Sequence, residues 1–232
     1  MTEEGGLLPS NWTTVTVGEI GEIVTRNTPP KSDSRNYGPY MPFVKPPELM
    51  NCVIAAAEDG LSKVGSEIAR VLPANSILVS CIGNLGKTAL NSVPVAFNQQ
   101  INAIVPFEGV NPKFVFYQTQ SVAFRRQLEE LASATTIAIV NKGKFQSITC
   151  NLAPQNEQKR VVTKIEELLS ELDKGIDSLA TAREQIRGYR QSVLKYAFEG
   201  KLTENWRTHR YEEMELADAR GFQADGAPRV AR

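Results

Sequence analysis

The residues Cys81-Ile82-Gly83-Asn84-Leu85-Gly86-Lys87-Thr88 end as a phosphate-cradling loop ends, in Gly-Lys-Thr. Such a loop needs a glycine at its first position so that backbone N–H groups can close on a phosphate, and residue 81 is cysteine. No apolar strand ending in Asp follows to hold magnesium, so nucleotide binding is not expected. Asn27-Thr28-Pro29-Pro30-Lys31 approaches the catalytic tetrapeptide of amino-methyltransferases, but the inserted Thr28 and a lysine where an aromatic is required break it. His209 is the only histidine, which removes His-dependent triads, His-rich zinc sites and imidazole acid–base work. Cys52, Cys81 and Cys150 form no CxxC pair and read as reduced thiols. Ser34 and Ser80 have no evident base, and Glu58-Asp59 and Glu129-Glu130 read as solvated surface. No catalytic residue, no metal site and no cofactor bound by this chain are expected.

The remaining chemistry is that of recognition. Arg26, Lys31, Arg35 and Lys45 stand against Asp33 alone in a stretch that also carries Tyr37 and Tyr40, broken by Gly and Pro. It is either a loop facing DNA or an ordinary solvated loop. Thr136, Asn141, Lys142 and Lys144 form a second candidate. Ser80, Asn84 and Lys87 form a third, with a turn that only holds strands together as the alternative. Asn98, Gln99 and Gln100 offer amides of the kind that read adenine, although strand alternation turns some of them inward to structural work. Bulk charge lends no support: 26 Lys and Arg face 26 Asp and Glu. The balance is local too, 12 against 12 up to Pro154 and 14 against 14 beyond it. Any grip on phosphate must come from clustering or from a partner.

These residues need a scaffold, and up to residue 153 the chain alternates short apolar runs with turn formers. Thr13–Val17, ended by Gly18, Met41–Val44, Ser76–Ile82 and Ile101–Pro106 read as strands, as does the short run Ile137–Val140. Asn111-Pro112 opens a helix that runs to about Leu131 on the apolar face of Phe114, Val115, Tyr117, Val122 and Phe124. Many short strands with few helices predict a compact α+β domain. Its 41% hydrophobic and 22% charged content fits a soluble protein. The N-terminus has neither a basic start nor an apolar core, and no run of eighteen apolar residues occurs, so a cytoplasmic protein without a membrane span is expected.

The character changes at Pro154. From Glu157 to Glu199 there is no proline, and Val161, Ile165, Leu168, Leu172, Leu179, Ala182, Ile186, Tyr189, Val193 and Tyr196 recur at spacings of three and four, skipping only Gly175. These are the a and d positions of a heptad pattern, which predicts a coiled-coil-forming helix with a partner along one stripe. At about 1.5 Å per residue it makes a rod of about 65 Å. The alternative is a long amphipathic helix lying on its own domain. Gly200 is placed to end it. Residues 204–232, polar and rich in Ala, Arg and Gly, read as a poorly ordered tail or a truncated continuation. The expected division is therefore a head at 1–153, a long helix at 154–203 and a tail at 204–232.

Several segments, read in order, resemble the specificity subunits of type I restriction–modification enzymes. They are Leu8-Pro9-Ser10-Asn11-Trp12 with Val15–Ile20; Pro42–Lys45 with Pro47-Glu48-Leu49; Ile77–Ser80 with the glycine turn Ile82–Ala89; Phe97–Ile104 with its Asn-Gln-Gln; Pro154 with Glu157-Gln158; and Tyr196–Thr203. Two places depart from the family pattern: Ser133-Ala134 stand before Thr135-Thr136 where a glycine is usual, and Cys150–Pro154 replace a proline-rich strand. The resemblance implies a target-recognition domain followed by a spacer helix that acts as a ruler between two DNA half-sites. A full subunit would carry two of each, so this chain resembles a half. It also implies methyltransferase subunits using S-adenosylmethionine at adenine, a translocating nuclease subunit, and, for a half-length chain, a homodimer paired through the long helix. The rival reading is a coiled-coil scaffold whose globular head binds a protein, which the zero net charge would suit.

Overall fold

The computed structural model describes residues 8–25, 27–132 and 137–219. In chain order the head comprises β1 (Thr13–Thr16), α1 (Val17–Ile20), β2 (Gly21–Val24), β3 (Tyr37–Val44), β4 (Cys52–Ile54), β5 (Gly60–Leu61), α2 (Lys63–Ile68), β6 (Val71–Leu72), β7 (Ile77–Ser80), β8 (Thr88–Asn91), β9 (Val95–Phe97) and β10 (Ile101–Pro106). Then come α3 (Pro112–Thr119), α4 (Val122–Glu130), α5 (Lys142–Gln146), β11 (Thr149–Leu152), the long α6 (Gln155–Phe198) and α7 (Glu204–Ala219). The chain divides into two compact units, residues 1–167 and 168–232.

The first unit is built on a five-stranded sheet ordered β2-β10-β7-β8-β4. Its central strand β7 reads Ile-Leu-Val-Ser and is buried along its whole length. Successive side chains of a strand point to opposite faces, so Ile77 and Val79 enter one core with Val115, Phe116, Phe124, Leu128 and Phe145 of the helices. Leu78 enters another with Ala103, Val44 and Phe97. The second core lies towards a smaller sheet ordered β5-β3-β9-β6. Burial on both faces explains why β7 shows an apolar run and not an alternating one.

The expected α+β class holds, with local differences that have physical causes. The strand from Thr13 stops at Thr16, because Glu19 accepts from both the Thr16 N–H (2.6 Å) and its hydroxyl (2.8 Å) and turns Val17–Ile20 into a helix. The one helix expected from Asn111 to Leu131 is two, since the Ser121 hydroxyl caps the N–H of Phe124 and starts α4 afresh. Residues 137–140 make a single bridge, Ile139 to Ile82, in place of a strand. Of the expected poorly ordered tail or truncated continuation, residues Glu204–Ala219 are helical, as a stretch free of Gly and Pro with four Glu, two Ala and two Arg permits.

The root of α6 belongs to the first unit. Glu157 accepts from the Trp12 indole N–H at 2.9 Å and from the Asn11 amide at 2.8 Å. Val162 packs with Phe114 and Ala153, and the Trp12 ring meets Phe114 edge-on at 5.9 Å. Lys113 pairs with Glu166 at 2.5 Å, which raises the lysine's pKa.

In the second unit the heptad positions stand open. Leu172 is 59% exposed, Leu179 73% and Tyr189 72%, with Leu168 and Ile186 also exposed. Around Gly175 there is open space within the chain. Val161 and Ile165, near the root, are half-buried, as is Val193, while Ala182 is exposed. Gly200 follows α6 with φ +76°, the left-handed conformation that ends helices. Among the described residues no helix is long and apolar enough to cross a membrane.

Candidate nucleic-acid interface

Arg26 and Thr136 lie outside the described residues; the other candidates fall into four places. In the first, the loop before β3, Arg35 grips Asp33 with two parallel hydrogen bonds, Nε to Oδ1 at 2.9 Å and Nη2 to Oδ2 at 2.8 Å. The guanidinium holds the Asp33 carboxyl below its ordinary range. Lys45 pairs with Asp59. The Tyr37 hydroxyl donates to the carbonyl of Pro29, so this residue anchors the loop. Lys31 is exposed. Two of the three described cations of the segment thus already hold carboxylates, and its local field is weaker than the sequence suggests.

The second place is the glycine turn between β7 and β8. Ser80 is fully buried. Its hydroxyl donates to the Asn84 carbonyl at 2.7 Å and accepts the Lys87 N–H at 2.9 Å. A side chain so enclosed cannot touch DNA, and the expectation that it does is corrected: Ser80 ties the turn. Gly83 and Gly86 take φ of +78° and +77°, which side-chain-bearing residues rarely adopt, and the Gly86 N–H donates to the Ser80 carbonyl. Asn84 is exposed and Lys87 half-buried.

The third place is the turn from β9 to β10. Asn98 spends its Oδ1 on the Gln100 N–H at 2.9 Å, and its own N–H donates to Val44, beside Lys45. Its role is to set the turn that presents the exposed Gln99. The fourth is the start of α5. Asn141 caps it, its Oδ1 accepting the Lys144 N–H at 3.0 Å. Lys142 is exposed and Lys144 half-buried.

Tertiary structure brings the third and fourth places together. Gln99, Asn141 and Lys142 line one cleft of about 340 Å³ with Thr25, Ile82, Asn102, Ile139 and Val140. Backbone bonds assemble it: Cys81 N–H to Gln100, Val140 N–H to Cys81, Gly83 N–H to Ala138. Asn102, almost buried, donates its amide to the Val140 carbonyl. Arg70 reaches the rim, its Nη1 donating to the Thr25 carbonyl at 3.0 Å. Sequence reasoning missed Thr25, Asn102, Ile139 and Arg70, because nothing in their spacing announces that they meet. Ile82 was visible only as part of a turn. Arg35, Lys31 and Lys87 do not line this cleft. Among the described residues no group of His, Cys, Asp and Glu could hold a metal ion.

The head is a mixed α+β domain with a cleft lined by Gln99, Asn141 and Lys142, and α6 carries an exposed apolar stripe. Residues 9–186 match the family described as the type I restriction modification DNA specificity domain, and the chain belongs to that family. It is 34% identical over 172 residues to the HindI specificity subunit of Haemophilus influenzae, covering 70% of this chain and 37% of that one. It is 23% identical over 211 residues to the EcoKI specificity subunit of Escherichia coli, covering 87% of this chain and 46% of that one. The chain therefore spans less than half the length of these relatives. The HsdS subunit from Thermoanaerobacter tengcongensis shares the fold, with a TM-score of 0.64 at 18% identity over 86% of this chain and 48% of that one.

Proposed function

We propose that this chain recognises a short double-stranded DNA sequence as a specificity component of a type I restriction–modification system. The observation that carries the reading is the convergence of Gln99, Asn141 and Lys142 on one cleft of a head whose family is the DNA specificity domain. Carboxamides read base edges and a lysine grips phosphate. The chain acts without chemistry of its own. Methyltransferase subunits supply adenine methylation with S-adenosylmethionine, a nuclease–translocase subunit supplies cleavage, and the assembly works in the cytoplasm on the DNA it reads.

The open stripe of α6 supports a second element of the proposal. Two copies pair through Leu168, Leu172, Leu179, Ile186 and Tyr189, which brings two heads into one reader. Such a reader addresses two half-sites at a fixed separation. The test is footprinting on random duplexes in the presence of a type I methyltransferase subunit. Protection of one defined sequence is expected; a coiled-coil scaffold with a protein-binding head would protect none, and that result would overturn the proposal.

A further inference from the structure

The two ion pairs flanking β3 are built into the backbone around them. Asp33 takes both arms of the Arg35 guanidinium, and its Oδ1 also accepts the Arg35 backbone N–H at 3.1 Å. The Ser62 hydroxyl holds the Arg35 carbonyl in turn, at 2.6 Å. Around the Lys45–Asp59 pair a third carboxylate fixes both backbones: Glu48 accepts the Lys45 N–H at 2.6 Å and the Glu58 N–H at 2.8 Å. The Asp59 carbonyl accepts the Phe43 N–H at 2.9 Å. Lys45 follows Val44, whose carbonyl accepts the Asn98 N–H, so this pair lies next to the turn that lines the cleft. All four charged side chains reach solvent.

A carboxylate offers a guanidinium or an ammonium the same paired oxygens that a phosphate offers. Asp33 and Asp59 therefore occupy the places on Arg35 and Lys45 that a DNA phosphate would take. An exposed ion pair is worth up to about fivefold in an equilibrium. One phosphate contact, with log K falling by about 0.9 per decade of salt, is worth about tenfold at 0.1 M. Exchange of carboxylate for phosphate is thus nearly balanced, and the loosely held complex on random DNA gains little by opening the pairs. A matched sequence docks the head firmly enough to tip the exchange. We infer that Asp33 and Asp59 are specificity-determining residues: they keep Arg35 and Lys45 from gripping phosphate except where the bases match. The inference rests on the head being a DNA reader. It accounts for such a reader carrying 12 cations against 12 carboxylates up to Pro154, since a masked cation adds nothing to sequence-independent binding.

The experiment is binding by the full chain to a random-sequence duplex and to the duplex it enriches from a random pool, each across a salt series. Asp33→Asn and Asp59→Asn should each tighten random-duplex binding about tenfold at 0.1 M salt and steepen its salt slope by about 0.9. The enriched sequence should stay the same, while the ratio of specific to random affinity falls. Asn keeps the Oδ1 that accepts the Arg35 N–H, so the loop retains its cap. Glu108→Gln changes the net charge equally at an exposed residue without an ion pair among the described residues, and should leave the random-duplex slope unchanged. Arg35→Gln tests the cation from the other side: random binding should not change, and the enriched duplex should lose about tenfold. If the Asp variants bind random DNA as the wild type does, if Glu108→Gln matches them, or if Arg35→Gln leaves the specific complex intact, the masking role is overturned while DNA recognition stands. If the wild-type chain enriches no sequence, the proposed function itself falls, and this inference with it.

Discussion

Gln158 holds Asn111, 47 residues away: its Oε1 accepts the Asn111 backbone N–H at 2.7 Å while its Nε2 donates to the Ala153 carbonyl at 2.8 Å. The side chain is 2% exposed, so both ends of the amide are spent inside the protein. It joins the end of β11, the start of α3 and the first turn of α6. Gln158→Ala leaves two backbone groups without this partner, at about 1–3 kcal/mol for a buried unsatisfied group. Thermal melting should fall by about 2–4 °C for each kcal/mol lost. An unchanged melting temperature would show that water or a local shift replaces the amide.

Pairing through α6 predicts a solution mass twice that of the chain. Leu172→Asp with Leu179→Asp places two charges on the stripe where these leucines are 59% and 73% exposed. The double variant should sediment as a monomer with the head's fold, read by circular dichroism, intact. A wild-type monomer at micromolar concentration would exclude self-pairing.

Lys142 is exposed at the cleft and is expected to neutralise one phosphate. Lys142→Ala should weaken binding to all duplexes alike and reduce the slope of log K against log salt by about 0.9. The enriched sequence should not change, because phosphate contacts position and do not specify. Lys144 is half-buried, and a smaller effect is expected there.

Ser80 gives the complementary result. Ser80→Ala removes the acceptor of the Lys87 N–H and the donor to Asn84, and should cost about 1–3 kcal/mol of stability in a denaturant titration. Base preference should remain that of the wild type. A changed preference at equal stability would place Ser80 in the interface after all.

Burial pushes the Cys81 thiol up to about 12, against an ordinary value of 9.0. A native state that keeps the proton while the unfolded chain releases it loses stability as pH rises from about 9 towards 12, and gains nothing below 9. Cys150, half-buried, is pushed up to about 11 by its partial burial and acts in the same direction. Cys81→Ala should flatten the alkaline arm of the stability profile. Because only thiolates attack thiol reagents, the folded protein should protect both residues from alkylation at pH 8.

The amino-acid sequence by itself determined the elements whose signal is local. Periodicity marked α6 and its open stripe, because a and d spacing is a property of consecutive residues. Gly200 marked its end for the same reason. Apolar runs marked β7 and β10, and ordered motifs marked the family. The tertiary structure alone decided which polar residues line the cleft. Ser80, Asn98 and Tyr37 carry the same functional groups as contact residues, yet their atoms are consumed by Asn84, Lys87, Gln100 and Pro29. Arg35 and Lys45 lose reach to Asp33 and Asp59. Ile82 and Ile139 meet across 57 residues, and no local pattern encodes such a meeting. A side chain's type is written in the chain, but whether its hydrogen-bonding atoms are spent depends on neighbours that only folding supplies.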